Sequence, residues 1–346
     1  MNFLPELWNY IKNICLAVTF IAVIAAGGWV AYVFDISKKP QIADKQLIVE
    51  GDNALNIGRY ADAKRIFEAE FKTNPQNQQA VWSLQIVQAR EALSQPEFKE
   101  AIDSLYQQNP NDPHVNLFLG EYYAANDQTE KAIQHYMQAI ELNPKLVEAH
   151  YDLAKLYDQQ GYPESAKVES LKAIEISPTP KYRNNLATIF FNQRNYEEAI
   201  KEYGKNKEYP LSALESAEIY WRLDYLSQAL SYQKQAIKWL EDKTIMDKPD
   251  NQDAWYFEIA PKKSIELFNL DEKKSYAYLC LSVTLYLQGD MEGAKNEVQK
   301  MRDLMVASQA NINALLTADL DGLVQANGAF AERVAAYKQL YLYSPQ

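Results

Sequence analysis

The chain has 346 residues, 47% hydrophobic and 23% charged, a globular rather than disordered balance with room for one long solenoid or two compact domains. The formal net charge of −11 excludes the basic surface that a phosphate backbone requires, so no nucleic-acid partner is expected. Only 11 glycines, with abundant Ala, Leu, Glu, Lys and Gln, suit a mostly helical chain, and the distant Cys15 and Cys280 predict no disulfide.

Residues 14–34 contain no charged side chain. As a helix they would span about 31 Å, the thickness of a bilayer core. Trp8, Tyr10, Trp29 and Tyr32 lie at or near the expected interfaces. A cleaved signal peptide would carry a shorter apolar core, so residues 1–39 are read as a tail, an uncleaved single-pass anchor and a linker. Ala22/Ala26 and Gly27/Ala31 are small-xxx-small pairs that would permit oligomerisation through this helix, although ordinary membrane-helix composition also explains them. Lys38, Lys39 and Lys45 exceed Lys12 plus the terminal amine by a single charge, which leaves open the side of the membrane that the rest of the chain faces.

From Asp44 a repeat begins. Its first copy carries Gly51, Gly58, Tyr60, Ala63 and Phe67 and stops at Asn74-Pro75. The stop recurs as Asn109-Pro110, Asn143-Pro144 and Ser177-Pro178, at intervals of 35, 34 and 34 residues. The residue before proline is pushed out of the helical region, so each stop ends a helix. The second copy has degenerate slots: Trp82, Leu84, Val87 and Ala92 mark one helix, Phe98, Ala101, Ile102 and Leu105 the next. The third carries Leu119-Gly120, Tyr123, Ala132, Tyr136 and Ala139, and the fourth Leu153-Ala154, Tyr157, Ala166, Ser170 and Ala173. Gly120, Ala132 and Ala139 would let two helices approach closely, with tyrosines filling the gap, and Asn126-Asp127 breaks the run between them. A fifth copy follows at residues 186–203 and a sixth, about four residues early, at residues 213–236.

Residues 241–263 interrupt the rhythm with Pro249 and Pro261 around Trp255-Tyr256-Phe257. They are expected to form an irregular insertion, either covering the edge of the array or acting as a docking lid. A seventh copy follows through Tyr278, Leu281, Leu285, Gly289, Ala294, Val298 and Met301. The tail predicts two capping helices, one marked by Leu315, Leu316, Leu320 and Leu323, the other by Phe330, Val334, Tyr337, Leu340 and Tyr341.

A 34-residue period with these slots resembles the tetratricopeptide repeat. The resemblance implies an all-α fold: a right-handed superhelix of paired helices (an α-solenoid) over residues 40–240, the insertion at 241–263, a further repeat and a C-terminal cap over residues 264–346, all preceded by one transmembrane helix. In that family the first helix of each repeat lines a concave, ligand-binding face. The inward slots map to His114, Leu117, Glu121 and Ala124, then Glu148, Tyr151, Lys155 and Asp158, then Lys181, Asn184, Thr188 and Phe191, then Leu211, Leu214, Glu218 and Trp221. Of these, Lys155 and Asn184 could bond a peptide backbone or carboxylate, Tyr151, Phe191 and Trp221 could take apolar side chains, and Glu218 completes the candidate partner-binding set. The carboxylate clamp of chaperone-binding members is not matched, since Ile48, Asp52 and Phe118 occupy its slots.

No enzyme motif is present: there is no CxxC pair, GxxxxGK, GxGxxG or GxSxG. His150 occupies a packing slot, and His114 and His135 lie on different helices without a ligand set, so no metal or cofactor is expected. The resemblance implies a non-enzymatic scaffold in the cell (inner) membrane that binds a protein or peptide partner, as an accessory subunit of a cell-envelope assembly or secretion system. A periplasmic chaperone or translocon-associated holdase is the alternative, and an enzyme with a site on the solenoid is a third.

Overall fold

The computed structural model describes residues 42–92, 98–252, 255–260, 263–267, 269–304 and 306–342. The expected membrane anchor at residues 14–34 lies outside them. Among the described residues no helix is long and apolar enough to cross a membrane.

Six helix pairs follow one another: α1 (Ile42–Asn56) with α2 (Tyr60–Thr73), α3 (Gln78–Glu91) with α4 (Phe98–Gln108), α5 (Pro113–Ala125) with α6 (Thr129–Leu142), α7 (Val147–Gln159) with α8 (Pro163–Ile176), α9 (Pro180–Asn192) with α10 (Tyr196–Gly204), and α11 (Pro210–Arg222) with α12 (Leu226–Glu241). The Asn and Ser residues before the prolines serve as stops, since Asn74, Asn143 and Ser177 are the C-caps of α2, α6 and α8. Within the pairs a second punctuation recurs. Gly58, Asp127, Gly161, Arg194 and Asp224 all have φ between 59° and 77°. Each lets the next residue's N–H reach back to the end of the first helix, as Gln128 N does to Tyr123 O at 2.9 Å and Asn195 N to Phe190 O at 2.9 Å. This left-handed cap turns the chain sharply enough for two antiparallel helices to pack side by side.

The contact between paired helices follows side-chain volume. A Cβ added at Gly120 would lie 2.5 Å from the Tyr136 ring, so α5 and α6 touch only because position 120 lacks one. In the next repeat the same two positions are Ala154 and Ser170, and the Ser170 hydroxyl donates instead to Asn185 Oδ1 at 2.6 Å. First helices of successive repeats also pack directly on one another, while second helices do so far less. The first helices therefore form the inner side of the array.

The segment expected to be irregular is ordered. It contains short helices α13 (Lys243–Met246) and α14 (Pro249–Gln252), then an antiparallel hairpin of β1 (Trp255–Ala260) and β2 (Lys263–Leu267). The all-helical expectation is corrected here: alternation puts Trp255 and Phe257 on one face of β1, with Trp255 buried and Phe257 5.2 Å from Tyr276. The aromatics thus cover the edge of the array rather than form an open lid.

The last pair is α15 (Leu270–Gln288) and α16 (Met291–Asp303), opened by a capping box between Asn269 and Glu272. The tail forms α17 (Gln309–Ala326), a 3-10 turn at Gly328–Phe330 and α18 (Ala331–Tyr337). Leu315, Leu316, Leu320, Leu323, Phe330, Val334 and Tyr337 are all buried, as the periodicity predicts, but Leu340 is exposed. Helix α17 packs on both α11 and α15, so it lies across the inner side of the sixth and seventh repeats. Near the other end, Ile57 packs beside Val147, Tyr151 and Tyr182, and Asn143 Nδ2 donates to Asn56 Oδ1 at 2.9 Å. The first repeat therefore meets the fourth across the inner side.

Candidate partner-binding groove

Polar rungs run along the inner side, joining α1 to α3, α3 to α5 and α7 to α9. Gln79 donates to Asp52 at 2.6 Å, Arg90 pairs with Glu121 at 3.0 Å, Lys181 pairs with Glu148 at 2.9 Å, and Asn192 donates to Asp158 at 2.6 Å. Aromatic faces lie between these rungs. The Arg90 guanidinium sits 5.2 Å from the Tyr60 ring centroid and 5.8 Å from that of Phe118. Lys181 and Lys155 lie 4.9 and 5.5 Å from the Tyr151 ring, and Arg222 lies 4.6 Å from that of Phe191.

The electrostatics of the stripe are set by burial. Burial pushes the Glu121 carboxyl up to about 8; Asp152 and Glu148 add to this and Arg90 only partly opposes it. Burial, then Glu148, lifts Asp152 to about 6. Burial works against the charge of Lys181, yet Glu148, Tyr182 and Tyr151 together hold the ammonium well above its ordinary value. At the α11–α17 end, Glu215, Glu218 and Asp319 share one neighbourhood with Arg222, whose Nε donates to Glu218 at 3.1 Å. Burial and the facing Glu218 push both Glu215 and Asp319 well up.

The six predicted partner-binding residues divide. Tyr151, Lys155, Phe191 and Glu218 lie on this inner stripe, partly exposed. Trp221 does not: it is 2% exposed, and its indole N–H donates to Thr284 Oγ1 at 2.6 Å. Asn184 is likewise consumed, its Oδ1 accepting from Ser212 at 2.7 Å. Both are corrected to packing residues, because the stripe on α11 runs through Glu215, Glu218 and Arg222 and leaves the slots of Leu211, Leu214 and Trp221 in the core.

Slot mapping misses Arg90, Asp152 and Tyr60. The second repeat's degenerate slots hide Arg90, and Asp152 is visible only as the neighbour of Tyr151. His150 is buried, with Nδ1 2.6 Å from Glu169 and Nε2 3.0 Å from the Pro144 carbonyl, a structural arrangement. Among the described residues no group of three His, Cys, Asp or Glu side chains is placed to hold a metal ion.

Tetratricopeptide-repeat family models match residues 48–113, 120–161 and 147–180. The photosystem I assembly protein Ycf3 of Rippkaea orientalis (strain PCC 8801 / RF-1) is 34% identical over 76 residues, 20% of this chain and 44% of that protein, so the match spans less than half of the relative's length. Among solved structures, a Rap protein complexed with competence and sporulation factor superposes with a TM-score of 0.54 at 12% identity, covering 87% of this chain and 93% of that one. The Cut9–Hcn1 hetero-tetramer of the APC/C superposes at 0.51 and 13% identity, covering 86% and 55%. At these identities the structural likeness is one of fold. With the helix pairs and their 34-residue stops, these matches place tetratricopeptide repeats within residues 48–180.

Proposed function

We propose that this chain is a scaffold held in the cell inner membrane by residues 14–34, with a protein or peptide partner seated in its inner groove as part of an envelope assembly or secretion system. The reading rests on one observation above the rest: a stripe of aromatic faces and ion pairs, drawn from α3, α5, α7 and α9, runs along the inner side and is partly open to solvent. Tetratricopeptide repeats are protein-interaction modules. The Rap structure is of a complex with a factor, the Cut9–Hcn1 structure is of an assembly, and the Ycf3 relative is named as an assembly protein. The uncharged run at residues 14–34 supports the anchor.

Replacing Tyr151 and Phe191 together by alanine is expected to reduce partner recovered with the full chain by about tenfold, because exposed aromatics carry disproportionate interface energy. Unchanged recovery from a folded variant would overturn the groove. Deleting residues 1–39 should move the chain from the membrane to the soluble fraction. A deleted chain that still sediments with membranes would overturn the anchor.

A further inference from the structure

We infer that the turn between α1 and α2 is an autoinhibitory latch on the groove: Ile57 fills the apolar place beside Tyr151 and Tyr182 that a partner's side chain takes, and the partner enters as this turn lifts away. The partner's seat is the one proposed above, on which this inference rests, and the latch adds how that seat opens. Ile57 packs against Val147 of the fourth repeat and Tyr182 of the fifth. The Tyr151 and Tyr182 rings stand edge to face beside it, 5.5 Å apart. A hydrogen bond accompanies the contact, from Asn143 Nδ2 to Asn56 Oδ1 at 2.9 Å. Asn56, Ile57 and Gly58 all stay partly exposed, whereas Ala63 and Phe67 inside the first helix pair are fully buried. The first repeat is thus held to the fourth by a small contact at a turn rather than by packing along helices.

Gly58 shows that the contact is built into the sequence. In the equivalent turns Asp127, Arg194 and Asp224 hold the same left-handed backbone, so the turn itself does not demand glycine. At Gly161 an added Cβ would meet nothing within 4 Å, whereas at Gly58 it would run into the Glu148 carboxylate. Glycine at position 58 therefore serves the approach to the fourth repeat. Glu148 is a fixed wall for it, accepting from Lys181 Nζ at 2.9 Å and Tyr182 Oη at 3.2 Å. The closed contact also carries a cost. Tyr60 Oη and Arg90 Nε are shut off from solvent without a hydrogen-bond partner, and Glu148 across the groove acts electrostatically on both residues. Buried polar groups are ordinarily paired, so lifting the turn, which returns water to these two atoms, offsets part of the contact it breaks. A small contact opposed by unpaired polar groups is a two-state element that a partner can bias.

The test is pulsed electron paramagnetic resonance on the full chain in detergent, with nitroxide labels at the exposed positions 59 and 145 of a chain carrying Arg59→Cys, Lys145→Cys and Cys15→Ser; Cys280 is buried. With Ile57 and Gly58 in place one short distance is expected. Ile57→Ser and Gly58→Ala should each shift most of the population to a longer one. Folded variants that both keep the short distance would overturn the latch. Partner recovery reads the consequence. Asn56→Cys and Asn143→Cys, placed where the two side chains touch, can be bridged by a short thiol crosslinker with a cleavable spacer. The bridged chain is expected to recover about tenfold less partner than the same chain after cleavage, and Ile57→Ser more than the unaltered chain. Equal recovery before and after cleavage would overturn the latch while leaving the groove, which falls only if the Tyr151 and Phe191 variant also keeps its partner. The bridged chain retains Ile57 and Gly58, so it decides the matter even if a substitution fails to fold.

Discussion

Gly120→Ala sets two physical effects against each other. Helix propensity alone favours alanine by about 1 kcal/mol in a helix interior. The new methyl, however, would stand 2.5 Å from both Cδ1 and Cε1 of Tyr136, where ordinary van der Waals contact begins near 3.4 Å. Tyr136 is 3% exposed and packed in the core of the first repeats, so its ring has little room to retreat. Overpacking of this kind costs about 1–3 kcal/mol, and the net change is expected to be destabilising by about 1–2 kcal/mol. Urea unfolding of the full chain, followed by far-UV circular dichroism, reads the change as a lower midpoint at constant slope. Tyr136→Ala is itself destabilising, but adding Gly120→Ala to it should cost nothing or help, as the fourth repeat already does with Ala154 and Ser170. A Gly120→Ala chain as stable as the unaltered one, or an equal cost in both backgrounds, would refute the close-approach argument.

Three further substitutions follow from the same geometry. Arg194 holds φ 60°, so Arg194→Gly should relieve left-handed strain and raise stability by about 0.5–1 kcal/mol, read by thermal melting; a loss would show that the turn is unstrained. Thr284→Val keeps shape but leaves the Trp221 indole N–H and Gln233 Oε1 without their partner, at a cost of about 1–3 kcal/mol; neutrality would place water or another partner there. Asp319 keeps its proton in the fold well above its ordinary value of 3.8, because burial and Glu218 oppose its charge. A carboxyl so raised favours the fold at low pH, and that advantage is lost as pH climbs from about 4 through the raised value, at up to about 1.4 kcal/mol per pH unit. Asp319→Asn should therefore flatten the fall in melting temperature between pH 5 and 8 and gain most at pH 8; an identical pH profile would contradict this.

The array was legible because its punctuation is local. Asn-Pro and Ser-Pro stops act on the residue beside them, and the Gly120 and Tyr136 pairing acts within one repeat, so spacing alone exposes both. The hairpin was harder: Trp255 and Phe257 alternate with Tyr256, a period of two that only a strand explains, but the run is short and flanked by prolines. On α11 three of the four expected inward slots, Leu211, Leu214 and Trp221, lie in the core, and Glu218 lies on the stripe. Trp221 and Glu218 are both compatible with an inward slot, and only the packing of α15 and α17 decides that the tryptophan is covered and the glutamate is not. Arg90 could not be ranked, because its partner Glu121 is 31 residues away and the repeat between them keeps no clear slots.

The claim that the first helices form the partner's seat is tested most directly by site-specific photo-crosslinking from the full chain in cells. One probe replaces Tyr151 on the inner stripe. The other replaces Met137 on α6, 53% exposed beside an outer cleft of about 560 Å³ lined by Gln134, Gln138 and Lys172. The account predicts a discrete partner adduct from position 151 and none from position 137. An adduct from position 137 with none from position 151 would contradict it and move the binding surface to the outer helices.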